Sequence, residues 1–462
     1  MASQQTGREL LKPKIGMIFM VLLGFGAIIG PWMIQLPWYF SLAGPSVALA
    51  FFVSAVLLTP IIFSYGELVP MLPFAGGEQV FTRHALGRET AWFVAWLLFL
   101  VYLCVNVFMG FSVVRMAQVI FGIPEISRWV VAGIAIGVLI VFAILNYFGV
   151  KISIWTQLIM TLLLGAIGFG ISVMFMGSTH WTTDNLTPFF ATGINGWLVA
   201  VGILVVMFVG FDVIPQMAEE ANYPRHKQMY VMLGAVWLTA ALYIMVCLGN
   251  GGMMPTSWIL EQQVVDPEIL RMHWGKIPWI LINIAALATI LTCFNAFLLA
   301  ASRLIFSLGR SRTLPPVLSH VNRYDVPDYG LWFVSILAVL FIAGAGEQWL
   351  EITISTAGVA IGIVYGLVSL SATILRRTHP EWPRPYKMPW SSAMGILGLI
   401  VGLICAFFSA LAVPTTGWII LIAYLLVGLG IYLWMQYKRR VATTLYGEVV
   451  LTPGDITPER VA

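Results

Sequence analysis

Apolar residues run through this chain in long blocks, not at the alternating or three-to-four-residue spacing of half-buried elements. Twelve blocks reach the roughly 20 residues that a helix needs to cross a hydrocarbon core. They lie near 16–39, 43–70, 90–119, 129–147, 152–176, 196–217, 229–249, 278–306, 330–345, 349–375, 393–412 and 416–437. Only Gly344–Gln348 separates the ninth from the tenth. Continuous runs predict helices, because membrane barrels use short alternating segments.

Two blocks contain residues that weaken a helix where a bilayer most demands one. The first reads GFGAIIGPWMIQLPWYFSLAGPS over 24–46, with Gly26, Gly30 and Pro31 at its middle. Pro31 lacks an amide hydrogen and clashes with a continuing helix, and glycine permits unusual dihedrals beside it. The sixth block reads GWLVAVGILVVMFVGFDVIPQMAEE over 196–220, interrupted by Gly210, Asp212 and Pro215. Broken helices at membrane depth are tolerated where they line a cavity or pack within protein, and in secondary transporters such breaks form binding sites. The matching positions suggest two repeats of opposite topology, 16–176 and 177–375, followed by two further spans over 376–437. Breaks at Gly30–Pro31 and Gly210–Phe211 should then face each other near the midplane.

Composition supports the membrane reading. Of 462 residues, 60% are hydrophobic and 10% charged, against about 25% charged in soluble domains. The mean hydropathy is +0.92. The opening MASQQTGRELLKPK reads as a retained cytoplasmic tail, residues 1–15, since no small-residue cleavage site follows it. With that end inside, twenty Lys and Arg fall in inside segments, including the 438–462 tail, and four fall outside. This bias sets the orientation and places both termini in the cytoplasm. The net charge of +4 is a topology signal and calls for no nucleic-acid partner.

Cys104, Cys247, Cys293 and Cys405 lie inside spans without a CxxC pair and read as buried filler. No metal-ligand spacing, Walker loop, GxSxG elbow or HExxH helix appears, so neither cofactor nor metal is implied and an enzyme is disfavoured. A channel would show a filter loop or rings of like residues. Asp212 is the acid placed well inside a span, where a carboxylate costs about 2.5–3.5 kcal/mol on insertion scales. It has three candidate roles: pairing with a substrate amine, carrying a proton, or bonding the amides freed at the break. Glu67 and Glu78 suit a gate or polar network. Glu219 and Glu220 read as exposed loop partners of nearby basic residues, with an inner-gate contact as the alternative. Asn106, Asn295 and Thr356 are further candidates among the polar residues of the spans. Trp32, Trp38, Phe108, Phe208 and Phe211 are candidates for gates or for a cation-attracting wall.

A series of landmarks then carries a resemblance. GAIIGPW, SLAGPSVALAFFVS and SYGELVPMLPFAGGEQVFTRHALG open it. NYFGVK, FVGFDVIPQMAEEANYPRH, SRLIFSLGRSRTLP and RPYKMP follow in order across nearly the whole chain. Together they resemble permeases of the amino acid–polyamine–organocation superfamily. The resemblance implies an all-α membrane protein: twelve transmembrane helices, a LeuT-type 5+5 inverted repeat and two C-terminal helices. It implies alternating access and a site between the first, third, sixth, eighth and tenth spans. It implies an amino acid or related small amine as substrate, and the short tails and lack of extra domains favour a plasma membrane that is a bacterial inner membrane.

Family members use a Gly-Ser-Gly or Gly-Thr-Gly run at the first break to hold the substrate carboxylate. Ile29, Gly30, Pro31 and Trp32 stand there in this chain, so the cradle is altered. Either neighbouring amides still serve, or the substrate is an amine, amino alcohol or polyamine lacking an α-carboxylate. Carry-over for the amine places it on backbone carbonyls of Ala27 and Ile28, and of Phe208 and Val209, beside Gly210 and Phe211. Some proton-coupled relatives carry a lysine deep in the fifth span; that position falls on Leu164 here. Asp212 is the remaining candidate for proton coupling, and exchange without an ion is the alternative.

Overall fold

The computed structural model describes residues 10–124, 126–344 and 349–456. Among them the chain is helical throughout, and its single extended pairing is an isolated bridge between Ile15 and Ala221. Ten helical stretches are long and apolar enough to cross a membrane, and Met17–Ile28 and Asp328–Gly344 are shorter apolar helices. The junction 345–348 lies outside the described residues.

The first apolar block is two helices, α1 (Met17–Ile28) and α2 (Trp32–Ala43). Pro31 divides them. Its φ of −72° and ψ of 68° are those of an inverse γ-turn, closed by the Trp32 amide donating to Gly30 O at 2.7 Å. After α3 (Val47–Met71), the short α4 (Glu78–Leu86) precedes α5 (Arg88–Phe121), α6 (Arg128–Tyr147) and α7 (Val150–Met176).

The sixth block is broken as well. α8 (Gly193–Leu204) tightens into a 3₁₀ turn over Val205–Phe208, and the chain resumes only in the short α9 (Val213–Gln216). Gly210 between them has φ +130°. A Cβ there would sit 2.7 Å from Ala27 C and Ile28 N, so only glycine lets the two breaks approach. They therefore face each other as their placement predicts.

α10 (Gln228–Met253) leads to two short helices, α11 (Thr256–Glu261), which packs on α2, and α12 (Asp266–His273), which packs on the start of the next long helix. Between the two short helices the Val265 amide donates to Met33 O at 3.3 Å. α13 (Lys276–Arg310), α14 (Asp328–Gly344), α15 (Trp349–Thr378), α16 (Ser392–Leu411) and α17 (Thr415–Val441) complete the bundle. Many large apolar side chains on α6, α7, α16 and α17 are exposed, including Ile140, Ile159, Leu403 and Leu426. Such a periphery suits lipid.

Asp266 opens α12 outside the spans. It is buried and accepts from Asn250 Nδ2 at 3.1 Å. Burial pushes its carboxyl up from an ordinary 3.8 to about 6. The folded protein therefore holds a proton that the unfolded chain has lost between about pH 4 and 6. The stability from this group is full below about pH 4 and is lost as pH rises through about 6. Melting in detergent should accordingly be higher at pH 5 than at pH 7, and Asp266→Asn should flatten the difference. An equal pH response in the variant would assign the effect to other groups.

Candidate functional site

Between the two breaks lies a small cavity, with about 60 Å³ open to the centres of water-sized molecules. Ala27, Ile28 and Gly30 line it from the first break, and Val206, Met207 and Val209 from the second. Cys104, Val105, Phe108 and Met109 of α5 form one wall. Tyr243 of α10, Cys293 and Phe297 of α13, and Thr353, Ile354 and Ala357 of α15 form the others, with Gln35 of α2 at the rim. Among the described residues, no side chain lining it is charged.

The backbone supplies the polarity. α1 ends at Ile28 and the 3₁₀ turn ends at Phe208, so two helical C-termini converge on the same space. Their carbonyl ends carry partial negative charge and favour a cation. Ala27 O accepts from Cys293 Sγ at 3.1 Å, and Ile28 O accepts from Tyr243 Oη at 3.3 Å. Carbonyls have two lone pairs, so each retains capacity for an ammonium.

The other expected residues are placed variously. Ile29 donates its amide to Phe25 O at 3.1 Å, closing α1. The Trp32 ring is fully buried and directed away from the cavity, against Gly168 of α7. Phe208 packs edge-on to Phe51 and Tyr243. Phe211 points towards the end of the bundle that carries the termini, against Tyr65 and Tyr365. Asn106 turns back along its own helix to Tyr102 O. Asn295 bonds Asn146 and Gln157, joining α13 to α6 and α7. Thr356 lies against Gly417 of α17, and Thr353 holds the cavity position one turn earlier.

Asp212 takes the third of its candidate roles. Its Oδ1 accepts from the Gly210 amide at 2.8 Å and from Tyr365 Oη at 2.9 Å, and Tyr102 Oη donates to its backbone carbonyl at 3.4 Å. The carboxylate caps the broken segment and stands outside the cavity lining.

Side-chain layers close the structure on the terminus-bearing side. Glu219 and Glu220 are buried, which corrects their reading as exposed loop partners. Arg310 Nη2 lies 2.6 Å from Glu219, and Arg303 Nε donates to Glu220 at 2.8 Å. Glu219 also accepts from the backbone amides of Leu11 and Ala75, both at 2.8 Å. Glu67 joins α3 to the end of α15 by an ion pair to Arg376 and to the segment after α15 by one to Arg384. Gln216 donates to Glu78. On the opposite side Tyr39 Oη donates to Gln35 Oε1 at 2.7 Å, beside Met207.

Sequence reasoning missed Gln35, Met207 and Tyr243, and assigned Cys104 and Cys293 to filler although both line the cavity. A single Tyr, Gln or Met in an apolar run has no spacing signature. The expected site also omitted the seventh span, which supplies Tyr243.

A helical membrane protein with two facing breaks around a neutral cavity has the form of a permease. Residues 14–432 match the family described as amino acid permease, and the chain belongs to this family, within the amino acid–polyamine–organocation superfamily. It is 26% identical to the branched-chain amino acid permease BcaP of Bacillus subtilis, over 94% of this chain and 95% of that one. It is 23% identical to the methylthioribose transporter of the same organism, over 95% and 96%. The aromatic amino acid transport protein AroP of Corynebacterium glutamicum is 23% identical over 78% of this chain and 81% of its own length.

Proposed function

We propose that this permease is a secondary carrier of an apolar amino acid or related small amine, working by alternating access across a plasma membrane. In this reading the helices make twelve crossings: two inverted five-span repeats, 16–176 and 177–375, and two further spans. Both termini are cytoplasmic, and a bacterial inner membrane suits the bacterial relatives.

The convergence of two helical C-termini on one cavity carries the proposal. It gives an ammonium a set of carbonyls, while Val105, Phe108, Phe297 and Ile354 offer an apolar side chain its own surface. Relatives named for branched-chain and aromatic amino acids support the same division of labour. Proton coupling through Asp212 is part of the proposal, since Leu164 is buried and cannot titrate.

Uptake into proteoliposomes tests the class. At least one apolar amino acid or its amine should enter with saturable kinetics and be displaced by close analogues. Flux that rises linearly with concentration would overturn the carrier reading in favour of a channel. Recovery of a chemically altered compound would favour an enzyme.

A further inference from the structure

Amides freed at a broken helix are the usual attraction for an anionic group. At the first break the amides of Ile29, Gly30 and Trp32 are already committed, and Met33, next in α2, lies outside the cavity lining. Ile29 N–H donates to Phe25 O, Pro31 has no amide hydrogen, and Trp32 N–H closes the γ-turn onto Gly30 O. Gly30 N–H remains, and it donates to Tyr243 Oη at 3.1 Å. The same hydroxyl donates onward to Ile28 O at 3.3 Å, so it bridges the donor and the acceptor that the break exposes. At the second break the Gly210 amide is held by Asp212, and Val209 N–H by Val206 O.

Tyr243 is firmly placed. Its ring is buried and stacks on Phe51 with centroids 4.6 Å apart and planes 28° apart. A carboxylate entering this space would have to displace the hydroxyl from Gly30. It would also meet no Lys, Arg or His among the lining side chains. Desolvating an anion without a paired charge or donors is costly. An ammonium meets the opposite situation, because the carbonyls of Ala27 and Ile28 accept additional bonds.

We propose that Tyr243 is a specificity-determining residue whose hydroxyl fills the anion place at the first break. It thereby selects amines and amino alcohols over the corresponding α-amino acids. The proposal rests on the carrier reading above and names the substrate class of that same cavity.

The test compares four compounds with one side chain: L-leucine, its methyl ester, leucinol and 3-methylbutylamine. Each is measured for inhibition of uptake and for thermal stabilisation of the purified protein. In the wild type, the amine and leucinol should act at concentrations no higher than leucine. Tyr243→Phe frees Gly30 N–H for a carboxylate. Leucine should then improve by about tenfold relative to the amine, the scale of one hydrogen bond to a charged group.

A wild type that requires the free carboxylate, rejecting ester, alcohol and amine, overturns the proposal. So does a Phe variant in which leucine weakens selectively, since the hydroxyl would then be the carboxylate's own donor. A melting curve checks the variant's fold, and the wild-type panel decides the matter if the variant is unstable. Binding of leucine alone leaves the carrier reading standing and removes this one. No binding by any of the four removes this proposal, while the carrier reading is decided by the uptake test above.

Discussion

Glu219→Ala should open the terminus-bearing side of the proposed carrier and abolish most net uptake. Glu219 is buried and joins four parts of the chain: its own segment after α9, Arg310 at the end of α13, Leu11 of the N-terminal segment and Ala75 before α4. Removing the carboxylate takes from buried Arg310 its ion-pair partner, leaving it the Ala75 carbonyl and the Phe306 ring, and takes an acceptor from two backbone amides. Breaking one side of a buried ion pair costs about 3–5 kcal/mol. That cost falls on the arrangement described here, whereas one opened on the terminus-bearing side, as alternating access would require, would admit water to Arg310. A bias of about 3 kcal/mol is more than a hundredfold in population.

The native cysteines supply the readout. Cys104 and Cys293 line the cavity, whereas Cys247 and Cys405 are buried outside the lining. In a background lacking Cys247 and Cys405, a membrane-impermeant thiol reagent is applied from the terminus-bearing side of oriented vesicles. Labelling of Cys104 and Cys293 should be at least tenfold faster in Glu219→Ala than in its parent. Unchanged labelling with unchanged uptake would show that the pair does not hold the gate.

The two breaks were legible because glycine and proline act locally. Pro31 fixes its own φ and removes an amide hydrogen whatever surrounds it, and Gly210 tolerates a φ that other residues resist. The helices were legible because a bilayer leaves few alternatives for long apolar runs. The cavity walls were less so. Thr353 and Thr356 are both hydroxyls on α15 and differ only in the face presented, which depends on how α15 packs. Asn295 looked like a ligand group, but its partners Asn146 and Gln157 come from distant spans. Glu219 looked exposed because it lies near Pro224 and Arg225 in sequence, whereas its cation is Arg310 from another helix. Charge pairing at long range has no period to read.

Asp212 combines a legible position with two roles that one substitution separates. As a cap, the residue needs an oxygen that accepts from Gly210 N–H and Tyr365 Oη. As the proposed coupling group, it needs an ionisable carboxyl. Asparagine keeps the acceptor oxygen and removes the proton, whereas alanine removes both. Asp212→Ala leaves two buried donors without that acceptor, at about 1–3 kcal/mol each, so it should melt lower and transport poorly in every mode. Asp212→Asn should melt near the wild type and retain counterflow exchange, which needs only substrate on both sides. It should lose accumulation driven by an inward proton gradient at clamped membrane potential. Gradient-driven accumulation that persists in the Asn variant, beside a damaged Ala variant, would leave Asp212 as a structural cap alone. The proton would then have to be carried elsewhere, and buried Glu78, which accepts from Gln216 in the layer beneath the break, is the next carboxyl on that path.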